Sequence, residues 1–156
     1  MPRSTSTRGS GGGAPGARQA GQWEHFSHDA DMGVRGYGAT PAEAFEQAAL
    51  AVTALITTQP IVPETHVRIR CSAPDLEVLL VDWLNALVYE MATRNLLFGR
   101  FQVALRDCEL DALAWGEPVE IARHACAVEV KGATFTALEV AADAAGRWHA
   151  QCVVDV

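Results

Sequence analysis

The densest run of polar chemistry in the chain is Trp23-Glu24-His25-Phe26-Ser27-His28-Asp29-Ala30-Asp31, where two histidines and two aspartates fall within seven residues. Imidazoles and carboxylates at that density can offer nitrogen and oxygen ligands to a divalent ion. Alternate residues of an extended segment point the same way, so Asp29 and Asp31 share a face unless a bulge intervenes. The same run suits a solvated loop, and spacing alone leaves both readings open. Asp155 is the penultimate residue of an apolar stretch and adjoins the carboxylate of Val156. Two neighbouring anions at a strand end repel unless solvent or a cation compensates; the plainer alternative is a solvent-facing aspartate. Lys131 and Glu117 read as surface charges, Glu117 within a Gly116-Glu117-Pro118 turn.

No other chemistry is written as a motif. There is no nucleophile elbow, phosphate-binding loop, HExxH or dinucleotide fingerprint. The four cysteines, Cys71, Cys108, Cys126 and Cys152, are widely spaced without a CxxC pair. That excludes a zinc ribbon and gives no disulfide framework; all four read as small buried hydrophobes in a reduced, cytoplasmic protein.

The elements that must position these residues follow from patterning. Residues 22–38 read as extended, with a hairpin or bulge near Gly33, Gly36 and Gly38. Thr40-Pro41-Ala42-Glu43 is a capping box with proline at the first helical position. Phe45, Ala49, Val52 and Ile56 continue it as a helical stripe, and Thr57-Thr58-Gln59-Pro60 stops it. His66–Cys71 alternates as a half-buried strand. A second helix begins near Ser72-Ala73-Pro74-Asp75, with Leu76, Leu80, Trp83, Leu87 and Met91 along its buried stripe. After Asn95 the pattern is strand-like to the end: Phe101–Leu105, a return over Cys108–Trp115, a break at Gly116-Glu117-Pro118, then Cys126–Val130, Thr134–Val140 and Trp148–Val156. Two helices on a largely antiparallel sheet make a single α+β domain.

The net charge of −7 is unevenly placed. Residues 1–21 contain Arg3, Arg8 and Arg18, no acid and six of the thirteen glycines, which predicts a disordered leader of charge +3. It has no aliphatic core of the kind a secretory signal carries. The body, 22–156, therefore holds −10. A domain that acidic is poorly suited to gripping a phosphate backbone unaided. The apolar runs are too short to span a bilayer.

Taken in order, several stretches resemble one family, the archeases. The opening run through Asp31-Met32-Gly33-Val34-Arg35-Gly36-Tyr37-Gly38 resembles a first strand built on His-Thr-Ala-Asp-x-Gly. Helix Pro41–Ile56 with Glu43-Ala44-Phe45, the Leu79-Leu80-Val81-Asp82-Trp83-Leu84-Asn85-Ala86-Leu87 helix and Asn95-Leu96-Leu97-Phe98 are similar to its next elements. Gly116-Glu117-Pro118, Glu129-Val130-Lys131-Gly132-Ala133-Thr134, Leu138-Glu139-Val140 and the ending Val153-Val154-Asp155-Val156 complete the order. The resemblance covers about residues 22–156. It implies an archease fold related to the strand–helix–strand–strand module. It also implies a non-enzymatic partner of the GTP-dependent RNA ligase that joins 3′-phosphate or 2′,3′-cyclic-phosphate ends to 5′-hydroxyl ends. Such a partner promotes guanylylation of the ligase and its repeated turnover, in tRNA splicing or RNA repair, and meets RNA only through the ligase. The metal positions carry over onto Asp31, Asp155 and Val156, with calcium the usual ion and magnesium or manganese as substitutes. Lys131 matches as a candidate partner or phosphate contact, and His28, with Asp29 in place of the threonine, is a candidate supporting contact beside the site. The chain departs from the pattern in carrying Asp29 for threonine, Gly132 for alanine and Thr136 for histidine.

Two further readings stand beside this one. One is a divalent-metal phosphoesterase, with Asp31 and Asp155 holding the ion and His28 as general base. The other is a plain interaction module whose acidic cluster is surface.

Overall fold

The computed structural model of the chain describes residues 22–156; the expected disordered leader lies outside the described residues. Its first hairpin joins β1 (Trp23–His28) to β2 (Asp31–Gly38), and the turn falls at Asp29-Ala30, upstream of the glycines the sequence pointed to. Asp29 supplies the left-handed conformation there, with φ of 53°, a role aspartate tolerates better than most residues. The glycines of β2 serve packing instead. A Cβ on Gly36 would lie 2.2 Å from the Ala48 nitrogen and 2.3 Å from the Ala44 oxygen, so helix α1 (Pro41–Ile56) rests directly on the strand's backbone. Asp29, displaced into the turn, does not share a strand face with Asp31.

Thr40 caps the helix as expected, its Oγ1 accepting from the Glu43 N–H at 3.2 Å, while the Glu43 carboxylate reaches back to accept from the N–H of Ala39, one residue before the cap, at 2.9 Å. The stripe Phe45, Ala49, Val52 and Ile56 is buried, but so are Ala44, Glu46, Gln47, Ala48, Ala51 and Thr53. A helix buried on so many sides lies between two layers. α1 and α2 (Leu76–Arg94) each touch strands from two separate antiparallel sheets. One sheet has five strands in the order β1-β2-β8-β6, with β7 also paired to β8; the other has three, β3-β5-β4. Here β3 is Thr65–Ser72, β4 Leu96–Arg106, β5 Glu109–Pro118, β6 Gly132–Ala133, β7 Glu139–Ala142 and β8 Trp148–Asp155. The domain is the α+β class read from the sequence, with its strands divided over two sheets. The Trp83 indole N–H donates to the Phe45 carbonyl at 3.1 Å, and the Thr53 hydroxyl to the Phe98 carbonyl at 2.7 Å. These bonds tie α1 to α2 and to the three-stranded sheet.

Three other expectations give way. Gly116-Glu117-Pro118 does not break its strand: β5 runs to Pro118, and Gly116 is needed because a Cβ would sit 1.8 Å from the Leu97 oxygen of β4. Cys126–Val130 is not a strand. The chain turns through a one-turn helix, α3 (Ile121–His124), ends it at Ala125 with φ of 47°, and returns irregularly to β6. Of Thr134–Val140, only Glu139 and Val140 are in β7, after a turn at Ala137. The cysteines also divide: Cys152 is buried, Cys71 and Cys108 partly so, and Cys126 is exposed because its segment never enters the sheet. Among the described residues no helix is long and apolar enough to cross a membrane.

Candidate metal centre at the sheet end

Strand register brings the two distant aspartates together. β1 and β2 pair His28 with Asp31; β2 and β8 pair Met32 with Val154; β6 and β8 pair Gly132 with Asp155. One step beyond Met32 and Val154, Asp31 lies beside Asp155. Residues opposite each other on antiparallel strands are about 5 Å apart at Cα and project to the same face. The other face holds Val34, Ala150, Cys152 and Val154, buried against the helices. Thus His28, Asp31 and Asp155 form one row on the solvent side of the sheet end. Neither aspartate side chain hydrogen-bonds or pairs with a cation among the described residues.

The strands beneath this row are pinned. On the same face Glu24 accepts from the Tyr37 hydroxyl at 2.6 Å and pairs with Arg35, and the Arg35 Nε–H donates to the Gln151 side chain at 2.7 Å. The Tyr37 hydroxyl and Arg35 hold the Glu24 carboxyl below the usual glutamate range. The Arg35 guanidinium stacks 4.6 Å from the Phe26 ring centroid, so β1, β2 and β8 are cross-linked by side chains. At the opposite edge Asn85 of α2 accepts from the Ala133 N–H at 2.8 Å and donates to the Ala133 carbonyl at 3.3 Å. The Lys131 N–H donates to the Asp155 carbonyl at 2.7 Å. These contacts fix the register that sets Asp155 beside Asp31. Asn85 was legible only as part of a Trp-Leu-Asn match, since nothing in its spacing reports a long-range clamp.

The remaining predicted residues are less central. Asp29 stands in the exposed turn, its carboxylate 3.8 Å from His28 Nδ1. Lys131 is exposed in the irregular segment just before β6, and it makes no ion pair among the described residues. Glu117 is not surface at all: it is 2% exposed. It accepts from the Val62 N–H at 2.7 Å, from both arms of Arg123 and from His124 Nε2 at 2.9 Å. The Arg123 guanidinium holds its carboxyl at about 2 against the opposing effect of burial. His124 Nδ1 accepts from the Glu120 N–H at 2.8 Å. This hub ties the end of β5 to α3 and to the loop after α1, and lies in a different part of the fold from the aspartate row.

The donor set fits a hard divalent ion: oxygens from adjacent carboxylates with no competing cation among the described residues. Among the described residues no group of three or more His, Cys, Asp or Glu side chains is arranged to hold a metal. A third protein ligand at this row would therefore come from the main chain. Burial disfavours thiolate chemistry at two of the cysteines, pushing Cys152 up to about 12 and raising Cys71 as well.

Comparison with known proteins decides the family. Residues 23–156 match the model of the Archease protein family (MTH1598/TM1083). The chain belongs to the archease family. It is 36% identical over 140 residues to the protein archease of Pyrococcus furiosus, covering 86% of this chain and 99% of that one. With the protein archease of Methanosarcina mazei the identity is 39% over 144 residues, covering 88% and 98%. The solution structure of Methanobacterium thermoautotrophicum protein 1598 superposes with a TM-score of 0.70 at 31% identity, covering 86% of this chain and 99% of that chain. The archease match thus spans all the elements described above.

Proposed function

We propose that this archease-family chain is a non-enzymatic accessory protein of a GTP-dependent RNA ligase, promoting its guanylylation and repeated turnover in tRNA splicing or RNA repair. The observation that carries the mechanism is the β2–β8 register, whose continuation by one step from Met32 and Val154 sets Asp31 beside Asp155 at the sheet end, with no cation paired to either among the described residues, on a chain of this family. Asp31, Asp155 and the carboxylate of Val156 would hold a divalent ion, calcium by family resemblance or magnesium or manganese. Bound there, the ion would supply an electrophilic centre and relieve the repulsion between the carboxylates. The chain's own part is positional: the pinned strands hold the acidic tip rigid, His28 and Asp29 border it, and Lys131 stands at its edge to meet the ligase or a phosphate. The acidic body complements a basic RNA-binding enzyme. Four free thiols accord with a cytoplasmic setting.

The test is a multiple-turnover ligation assay with GTP and the cognate ligase, with and without the protein. Stimulation by the wild type, lost in Asp31→Ala and Asp155→Ala variants that melt normally, is expected. Full stimulation by both variants would rule out the metal-tip mechanism. A second reading, a divalent-ion phosphoesterase, draws on the pairing of His28 with Asp31; hydrolysis of p-nitrophenyl phosphate that depends on His28 would favour it.

A further inference from the structure

The three-stranded sheet packs only one face on the helices. Val67, Ile69, Val103, Leu110, Ala112 and Ala114 point inward and are buried. The register sets the opposite face. His66 lies across from Trp115, which lies across from Arg100; Arg68 and Arg70 follow along β3, and Arg106 closes β4 opposite Glu109. Twelve basic residues, less three in the leader, leave nine in the body. Four of those nine are on this one exposed face, against two acids, Asp111 and Glu109. Asp111 is engaged by Arg68 through two hydrogen bonds of 2.9 and 2.6 Å. Arg70, across from Asp111, adds to the field that lowers that carboxyl but forms no ion pair with it, and Arg100 and Arg106 form no ion pair among the described residues.

At one end of the same face Trp115 is only half buried. The Arg100 guanidinium lies 4.6 Å from its ring centroid, and the His66 ring 6.2 Å away. A sheet face carrying a half-buried indole beside guanidinium groups that outnumber the carboxylates joins the two elements of single-strand recognition, a stacking platform and a cationic track. An acidic peptide would satisfy the charges but leave the indole unused. A duplex would keep its bases out of the ring's reach. We propose that this face binds single-stranded RNA, with Trp115 stacking a base and Arg70, Arg100 and Arg106 contacting phosphates. The track from Arg100 to Arg106 is about 20 Å long, room for about three or four nucleotides. The helix layer separates it from the acidic tip by roughly 20 Å, beyond the screening length of about 8 Å at physiological salt, so the body's net charge does not cancel it.

The experiment is fluorescence anisotropy of a labelled oligo-uridine ten-mer against the full chain, in EDTA and without ligase, so that failure here is independent of the metal tip. Saturable binding is expected, weakened about tenfold by Trp115→Ala and restored by Trp115→Phe. Three phosphate contacts on a single strand give a log–log salt slope near −2, hence about a 20-fold loss from 50 to 200 mM salt. Arg70→Glu with Arg106→Glu should weaken binding and flatten that slope, with melting curves showing that the variants fold. Absence of binding overturns the proposal. So does binding that all these variants leave unchanged, which would come from elsewhere, such as the basic residues of 1–21. Loss of ligase stimulation in the same variants without any RNA binding would make the face a protein dock and would equally overturn it.

Discussion

Replacing Asp31 by asparagine should have opposite effects with and without a divalent ion. Asp31 and Asp155 lie about 5 Å apart by register, one step past Met32 and Val154. Two carboxylate charges held as close as these Cα atoms would repel by about 0.8 kcal/mol in a water-like medium. A chain of this size unfolds with an entropy of roughly 0.3 kcal/mol/K. The ion-free Asp31→Asn protein should therefore melt up to about 3 °C higher than wild type at low ionic strength, and no higher in 1 M NaCl, where the repulsion is screened. Calcium or manganese at a hundred times its dissociation constant should stabilise the wild type by about 2.7 kcal/mol, a rise of about 9 °C. That rise should vanish in Asp31→Asn and in Asp155→Asn. Residues added after Val156 convert its carboxylate to an amide and should shrink the rise, whereas an N-terminal tag should not. The assay is a melt followed by circular dichroism in EDTA and across an ion titration. A lower ion-free melting temperature in Asp31→Asn, together with an undiminished ion-induced rise, would refute both the adjacency and the ligand assignment.

Two further predictions concern the scaffold. Gly36→Ala places a methyl inside the α1 backbone, which cannot move aside as a flexible side chain would. The cost should be about 3 kcal/mol, a fall of about 10 °C read in the same melt. Glu117 is held at about 2 in the fold, below its ordinary 4.5. A depressed carboxyl contributes stability that is present above the unfolded value and lost as pH falls through the folded one. Wild-type stability should thus decline between about pH 4.5 and 2, and Glu117→Gln should be destabilised at neutral pH and flatter across that window in denaturant titrations.

How much of this was legible in the sequence depends on how local each signal is. The capping box, the stripe of α1 and the alternation of His66–Cys71 are decided within a few residues, and all three appear as expected. The hairpin was misplaced because glycine signals both turns and close approach. Here Gly36 and Gly116 answer to the backbone of another element, while the turn itself uses Asp29 and Ala30. Glu117 misled for a related reason: a Gly-Glu-Pro triplet looks like a turn until Gly116 is seen lying against Leu97 and the carboxylate is seen bound by Arg123 and His124. The row of His28, Asp31 and Asp155 joins residues from the two ends of the described chain. No periodicity reports such a register, so only the family resemblance could bring Asp31 and Asp155 together in advance.

The sheet-end tip and the Trp115 face have opposite sign, and the fold explains how one small domain bears both. Strand alternation sends every second side chain outward, and the helix layer turns the outward faces of the two sheets away from each other. Charges that a composition sums to −10 are thereby sorted, with carboxylates that pair with no cation among the described residues at the end of one sheet and arginines in excess over acids across the other. Net charge governs behaviour at distances beyond the screening length; within it, the local face decides what binds. The acidic total therefore argues against a domain that grips RNA with its whole surface, and leaves room for a short contact on the Trp115 face. A ligase partner and a strand of RNA could then be engaged from different sides of the same domain, without competing for the tip.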